Sequence, residues 1–252
     1  MILLFTDFGE AGPYTGEMEA VCRRQAPGIP VVRLMSDAVP FRPDLASPLL
    51  AALARRFQPG DVCVAVVDPG VGTERAPLAL ELDGVWFVGP DNGLFEHLRR
   101  EALEERAFRI VRRPPRLSAS FHGRDLFAPT AARIARGDLS GLEPWTPADF
   151  PDWPDDPPRI LYVDRYGNLV TGLRGEVLPR TAMLEAAGRR LAFAETFGRV
   201  PPGEAFWYVN SMGLVEIAVH GGAAAAVLGL GPGDAVTAPD IVAEESDEEE
   251  ED

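Results

Sequence analysis

The sequence predicts an α/β domain with a mostly parallel sheet between helices, followed by a smaller antiparallel, barrel-like β domain. Three observations support this prediction. Apolar strand-like runs alternate with helix-like segments as far as residue 141, which favours a parallel sheet covered on both faces. Prolines are concentrated in 142–158, which predicts an interdomain linker. Short strand-like runs separated by glycine turns then continue to residue 243.

The first domain is predicted from the order of its apolar patterns. Four buried strands are expected over 1–6, 29–34, 61–67 and 108–111. Helical spacing of apolar residues predicts four helices over 17–25, 43–57, 93–106 and 125–136. The pair Asp83-Gly84 favours a type I′ turn, so residues 78–88 are predicted to form a hairpin. Pro129 is compatible only with the first turn of its helix.

The second domain shows a different pattern of short segments. Strands are predicted over 159–163, 189–193, 205–209 and 214–219, with one short helix over 223–228. No internal repeat is present. The final residues 244–252 are almost entirely acidic and are predicted to be a disordered tail.

Composition excludes several classes of function. The chain has 252 residues and a net charge of −15, of which the tail contributes eight negative charges. The remaining chain is still acidic, which argues against a nucleic-acid partner. No charged leader precedes the first strand and no apolar run is long enough to span a membrane. The two cysteines, Cys22 and Cys63, lie in apolar runs and are expected to be reduced core residues of a cytoplasmic protein.

The stretch VAVVDPGVGTER at 64–75 places charged residues directly after a predicted strand. Asp68 follows the strand, glycines turn the backbone, and Arg75 closes the turn. Ligands of open α/β sheets bind outside the carboxyl ends of the strands, so both residues are candidate site residues. The alternative is structural, with an aspartate that caps the turn and an arginine on the surface.

A second stretch, SASFHGRDLFAPT at 118–130, contains the other candidate residue, His122. An isolated histidine beside Phe121 is also typical of a core position, so this pattern alone leaves both roles open. His97 is predicted to lie on a helix surface and His220 at a strand end.

Six segments together resemble one known family across nearly the whole chain. They are TDFG at 6–9, VVDPGVGTER at 66–75, GPDNGLF at 89–95, SFHGRDLFAP at 120–129, DRYGNLVT at 164–171 and NSMGLVEIAVHGGAAAAVLGL at 210–230. In these motifs the chain resembles the S-adenosylmethionine (SAM) hydroxide adenosyltransferases, which are related to the fluorinase and chlorinase enzymes. The resemblance implies hydrolysis of SAM to adenosine and methionine, with water attacking the ribose C5′ and no metal or redox cofactor.

The resemblance also implies roles for individual residues. Asp68, Arg75 and His122 would activate the water. The related halogenases have tyrosine in place of both Asp68 and His122, which favours water over halide as the nucleophile. The residues implied in substrate binding are Asp7 at the ribose diol, Phe41 and Phe121 as walls, Asn168 and Ser211 at the methionine end, and the Gly221 backbone at adenine.

The structural alternatives for these binding residues are turn formation and core packing. The family further implies a homotrimer, with each site between the first domain of one subunit and the second domain of its neighbour.

Three other functions stay open at this stage. A SAM-dependent halogenase would use the same substrate. A metal-dependent hydrolase could use the oxygen and nitrogen ligands of Asp7, Asp68, Asp91 and His122, although no pair of them has close ligand spacing. A non-enzymatic protein could bind SAM or adenosine as a sensor.

Overall fold

The computed structural model describes residues 1–238, which divide into two compact units at residues 155 and 156. The acidic tail predicted for 244–252 lies outside the described residues. Within residues 1–238, no helix is long and apolar enough to cross a membrane.

The first unit is built on a seven-stranded sheet. Its elements are β1 (Ile2–Thr6), α1 (Tyr14–Gln25), β2 (Val31–Met35), α2 (Pro43–Ala54), β3 (Val62–Val66), β4 (Pro77–Leu82), β5 (Val85–Pro90), α3 (Glu96–Glu101), β6 (Glu105–Ile110), α4 (Ala128–Ile134) and β7 (Leu142–Pro144). The strand order is β2-β1-β3-β5-β4-β6-β7. Strands β2, β1, β3 and β5 are parallel neighbours, as predicted, whereas β4, β6 and β7 add antiparallel pairs.

The antiparallel half begins at the predicted hairpin. Strands β4 and β5 are joined by Asp83 and Gly84, whose φ angles of 49° and 81° are both positive, as a type I′ turn requires. The same turn also explains why the helix predicted over 93–106 ends earlier. The carboxylate of Asp83 accepts hydrogen bonds from the backbone N–H groups of Leu103 and Glu104, and residues 105–110 then pair with β4 as β6.

Apolar layers cover both faces of the sheet, which confirms the predicted three-layer arrangement. One layer packs α1 and α4 against the sheet through residues such as Met18 and Phe127. The other packs α2 and α3 through residues such as Leu50 and Leu98. Cys22 and Cys63 are buried and free within these layers, as predicted.

The predicted helix over 125–136 starts differently from expectation. A single π-helical turn over Gly123–Phe127 precedes α4, and Pro129 lies in the first turn of α4. This position agrees with the prediction, because the first-turn N–H groups of a helix have no intrahelical acceptor.

The proline-rich segment does not behave as a linker over most of its length. Residues 142–155 belong to the first unit, where β7 pairs with β6. The indole of Trp145 donates a hydrogen bond to Asp91 at 3.0 Å, and the ring of Trp153 lies directly over Gly93. These long-range contacts hold the segment on the unit, although its proline content alone predicts an extended connection.

His97 was predicted to lie on a helix surface, and that prediction is wrong. The side chain is buried, with Nδ1 2.8 Å from the Ser47 hydroxyl of α2 and Nε2 3.1 Å from the Pro154 carbonyl. It is buried because the proline-rich segment folds back over α3. Burial lowers the pKa of His97 below its usual value.

The second unit contains a four-stranded antiparallel sheet, which confirms the predicted class. Its elements are β8 (Ile160–Val163), β9 (Leu169–Arg174), β10 (Leu184–Ala186), β11 (Arg189–Leu191), β12 (Ala205–Val209), β13 (Leu214–Val219) and α5 (Ala224–Leu228). The sheet has the order β12-β13-β9-β8, and β10 pairs with β11 as a separate hairpin. Its core includes Trp207, Ile217 and Leu169.

Candidate active site

Two carboxylates meet at one edge of the parallel half of the sheet. Asp7 directly follows β1, and Asp68 follows β3, which lies next to β1. The backbone N–H of Asp7 also donates to the carbonyl of Val66 at 3.4 Å, so the two strand ends stay together. Beside them is a cavity of about 240 Å³. Its lining residues are Asp7, Phe8, Tyr14, Pro40, Phe41, Val66, Asp68, Val71, Ser120, Phe121, His122 and Gly123.

Arg75 links Asp68 to His122. Its Nε donates to Oδ1 of Asp68 at 2.8 Å, and its Nη2 donates to the other carboxylate oxygen. The same Nη2 lies 3.1 Å from Nδ1 of His122. The side chains of Arg75 and Asp68 are only 10% and 4% exposed, so this ion pair is largely desolvated. The guanidinium also lies over the Phe127 ring, 5.4 Å from its centroid.

The loop from Asp68 to Arg75 packs closely against the segment that contains His122. Gly72 has a φ of 81°, and a Cβ at this position would lie 2.7 Å from the carbonyl oxygen of Ala119. Glycine is therefore required there for both its backbone angle and its small size. This close approach brings residues about fifty positions apart into hydrogen-bond contact.

The contact with Arg75 determines the tautomer of His122. A guanidinium has only donors, so Nδ1 of His122 accepts the hydrogen bond and Nε2 bears the proton of the neutral ring. Burial lowers the pKa of His122, and the charge of Arg75 lowers it further, with Asp68 opposing this effect. The imidazole is therefore held in its neutral form near neutral pH.

Asp7 is held by the backbone of Phe41. The N–H of Phe41 donates to Oδ2 of Asp7 at 3.0 Å. Burial raises the pKa of Asp7, and the negative charge of Asp68 adds to this, while the Phe41 hydrogen bond opposes it. Phe41 itself has a positive φ of 63°, and the residue as a whole is 71% exposed. A non-glycine residue in this conformation is strained by about 1–3 kcal/mol, and such strain is concentrated at functional sites.

Three aromatic rings form one wall of the cavity. Phe121 lies edge-to-face with Phe8 and with Tyr14, at centroid distances of 5.7 and 5.3 Å. The sequence analysis identified Phe121 but missed Phe8 and Tyr14. The signal for Phe8 was its place directly after Asp7. Tyr14 precedes the recognised helical pattern of α1, so nothing local marked it.

The other three candidate residues lie in loops of the second unit. Asn168 donates from Nδ2 to Oδ2 of Asp164 at 3.0 Å and from its backbone to Oδ1 at 2.8 Å, so its side chain stabilises the turn before β9. Ser211 lies in the turn between β12 and β13. Gly221 follows β13 with a φ of 75°. The first unit thus brings together Asp7, Phe41, Asp68, Arg75, Phe121 and His122.

The ligand set considered for a metal-dependent hydrolase is not assembled. Asp91 accepts hydrogen bonds from the Trp145 indole at 3.0 Å and from the Ala148 backbone at 3.1 Å, away from the cavity. Among residues 1–238, no group of three or more histidine, cysteine, aspartate or glutamate side chains is arranged to hold a metal ion.

Comparison with known families agrees with this geometry across both units. The SAM hydroxide adenosyltransferase N-terminal domain matches residues 2–143, and the corresponding C-terminal domain matches residues 158–237. The chain belongs to the SAM hydroxide adenosyltransferase family.

Individual relatives support the same assignment. A protein of Thermus thermophilus named (R)-S-adenosyl-L-methionine hydrolase is 38% identical, over 92% of this chain and 96% of its own length. A protein of Salinispora arenicola with the same name is also 38% identical, over 91% and 94%.

Solved structures from Thermotoga maritima and Thermus thermophilus resemble the fold, each over 94% of this chain and 98% of the other. Their TM-scores are 0.84 and 0.75, at 29% and 38% identity.

Proposed function

We propose that this chain hydrolyses SAM to adenosine and L-methionine by attack of water at the ribose C5′. The observation that supports this most strongly is the Asp68–Arg75–His122 arrangement beside the cavity, in a family whose relatives are named SAM hydrolases. In the reaction, the C5′–O bond forms while the C5′–S bond breaks. The electron pair of the broken bond goes to sulfur, so methionine leaves as a neutral thioether and water loses one proton.

Asp68 is assigned the role of holding the attacking water and accepting its proton. Each carboxylate oxygen has two lone pairs, so hydrogen bonds to Arg75 leave acceptor positions for a water molecule. Arg75 stabilises the negative charge that develops on the oxygen as the proton leaves. His122, neutral with a proton on Nε2, is a donor that orients the water.

The remaining groups of the cavity suit the nucleoside part of the substrate. Asp7 accepts hydrogen bonds from the two ribose hydroxyl groups, and Phe41 and Phe121 provide apolar walls. Asp7 and Asp68 carry two negative charges against the one positive charge of Arg75, which suits a sulfonium cation. A halide would meet a carboxylate at the nucleophile position, so halogenation is disfavoured.

The relatives' name specifies the (R) form of the substrate. We extend this preference to the present chain, because inversion at sulfur exchanges the positions of the methyl and methionyl groups relative to the ribose. Separated (R) and (S) sulfonium epimers, assayed in parallel, should differ in kcat/KM by at least tenfold. Equal values would remove the epimer preference and leave the hydrolase proposal intact.

The family resemblance also supports a homotrimer with sites between subunits. In this proposal, the second unit of a neighbouring subunit supplies Asn168 and Ser211 to the methionine end and the Gly221 backbone to adenine. Coexpression of Asp68→Asn and Ser211→Ala chains should then restore part of the activity that each variant loses alone. If the coexpressed variants form trimers but show no restored activity, the proposed site between subunits is contradicted.

Product analysis in H₂¹⁸O tests the reaction itself. The chelator-treated protein is incubated with SAM, with and without chloride, and the products are identified by mass spectrometry. We expect adenosine labelled at the 5′ oxygen plus methionine under both conditions. Chlorinated adenosine would assign the chain to the halogenase branch, and tight SAM binding without product would support the sensor. Loss of turnover on chelation would favour a metal-dependent hydrolase.

A further inference from the structure

The first unit contains a second and larger cavity, of about 550 Å³, that the proposed reaction does not use. Five arginines line it, together with one aspartate, Asp125. The arginines are Arg112, Arg113, Arg116, Arg124 and Arg133. Such a concentration of positive charge is unexpected in a chain whose net charge is −15.

Only one of these arginines forms ion pairs with carboxylates among residues 1–238. Arg124 forms ion pairs with Asp125 at 2.6 Å and with Glu17 at 2.8 Å. Within residues 1–238, the other four form no ion pair within 4.0 Å. Arg112 reaches only the hydroxyl of Ser140, at 3.4 Å. Among residues 1–238, four positive charges therefore share one cavity without a carboxylate in ion-pair contact, and the charge of Asp138 acts on two of them, Arg112 and Arg133, only at longer range.

Arg133 is the least exposed of the four arginines without an ion pair. Its Nη2 donates to the Thr130 hydroxyl at 3.2 Å, but its Nε is buried and has no acceptor within the described residues. An unsatisfied buried donor of this kind destabilises the fold. Burial and the neighbouring charge of Arg112 lower the pKa of Arg133, and the charge of Asp138 opposes this effect.

The backbone between two of the arginines is stiff. Arg113 and Arg116 are separated by Pro114 and Pro115, whose rings restrict φ. Fixing the backbone in this way reduces the entropy lost when the two guanidinium groups converge on a ligand. The cavity volume is within the range of sites for small molecules.

We propose that this arginine cavity binds the polyphosphate group of a small molecule. Guanidinium groups pair with phosphate oxygens through two parallel hydrogen bonds, and several uncompensated arginines match a multiply charged anion better than a single carboxylate. The same chemistry serves free polyphosphate and the phosphate chain of a nucleotide. The eight acidic side chains of residues 244–252 are an alternative source of negative charge that the test has to exclude.

Isothermal titration of the full-length protein with inorganic triphosphate, at constant ionic strength, tests the proposal. We expect saturable binding at one site per chain, and at least tenfold weaker binding for Arg113→Gln/Arg116→Gln. Both residues are exposed, so the variant should fold. The matched control is Arg189→Gln/Arg190→Gln, which removes two charges from the β10–β11 hairpin and should bind as the parent does.

Further titrations distinguish free polyphosphate from the phosphate chain of a nucleotide. A nucleoside triphosphate that binds more tightly than triphosphate would assign the cavity to a nucleotide, whereas equal affinities would assign it to the phosphate chain alone. Absence of saturable binding, or an equal loss in the control variant, would overturn the proposal. So would binding that occurs only when the chain is shortened after residue 238, since this result would identify the acidic tail as the occupant.

Discussion

Two cavities of the first unit, the candidate active site and the arginine cavity, differ in how their charges are compensated. In the candidate active site, Asp68 and His122 both contact the guanidinium of Arg75, and Asp7 accepts a backbone hydrogen bond. In the arginine cavity, four guanidinium groups form no ion pair among the described residues, and Asp138 acts on two of them only at longer range. The difference indicates two kinds of ligand. In our proposals, the paired charges position a neutral water beside a cationic substrate, whereas the arginines attract an anion.

The largest expected effect on stability comes from breaking the paired charges. Arg75→Met removes the partner of a carboxylate that is 4% exposed, so we expect the free energy of unfolding to fall by about 3–5 kcal/mol. Chemical denaturation measures the loss. The double variant Arg75→Met/Asp68→Asn also removes the unpaired negative charge of Asp68. It should therefore recover much of the lost free energy of unfolding. A loss below about 1 kcal/mol for Arg75→Met would show that the pair is solvated.

A glycine substitution tests the close packing that joins Arg75 to His122. Gly72→Ala combines a positive φ with a contact of 2.7 Å to the Ala119 carbonyl, so we expect a loss of about 2–4 kcal/mol and reduced turnover. Gly60→Ala is the matched control, because its φ is 90° but nothing lies within 4 Å of the new Cβ. It should lose about 1–2 kcal/mol with normal turnover. Equal losses of stability and turnover in the two variants would show that the close contact between Gly72 and Ala119 is unimportant.

The two buried histidines should make stability depend on pH. The folded chain lowers the pKa of both His97 and His122, so below about pH 6.5 the unfolded chain binds more protons than the folded chain. Stability is therefore fully present above this pH and is lost as the pH falls toward the lower, folded pKa values. Denaturation at several pH values measures this slope.

Each histidine should contribute separately to that slope. His97→Gln and His122→Gln should each flatten it, and only His122→Gln should also change turnover. A slope that neither substitution alters would contradict this assignment.

Phe41 should show the smallest effect on stability. Phe41→Gly removes the strain of the positive φ while it also removes little buried area, so we expect the free energy of unfolding to change by less than about 1 kcal/mol. The KM for SAM should rise because one wall of the cavity is lost. A destabilisation above about 2 kcal/mol, with unchanged KM, would make Phe41 a structural residue.

Local signals were sufficient for much of the fold and for part of the site. The Asp83-Gly84 turn follows from backbone preferences of two residues, and the positions of Asp7 and Asp68 follow from the ends of two buried strands. Motif resemblance identified Arg75 and His122, which the structure brings into contact.

Features that depend on distant residues were not predictable in the same way. Trp153 covers Gly93, and Glu105 starts a strand because β4 offers an edge, although local periodicity predicted a continuing helix. The arginine cavity combines residues 112–116 with Arg133 of α4, and no spacing rule relates them. Polar contacts between separate segments are therefore what the sequence analysis missed most.

In the proposed reaction, Asp68 activates the water while Asp7 binds the ribose. Steady-state kinetics of Asp68→Asn and Asp7→Asn with SAM, beside an Asp91→Asn control outside the cavity, test it directly. We expect Asp68→Asn to lower kcat by about 10²-fold or more with little change in KM, and Asp7→Asn chiefly to raise KM. Full turnover of Asp68→Asn with an unchanged pH dependence would contradict the role of Asp68 in water activation.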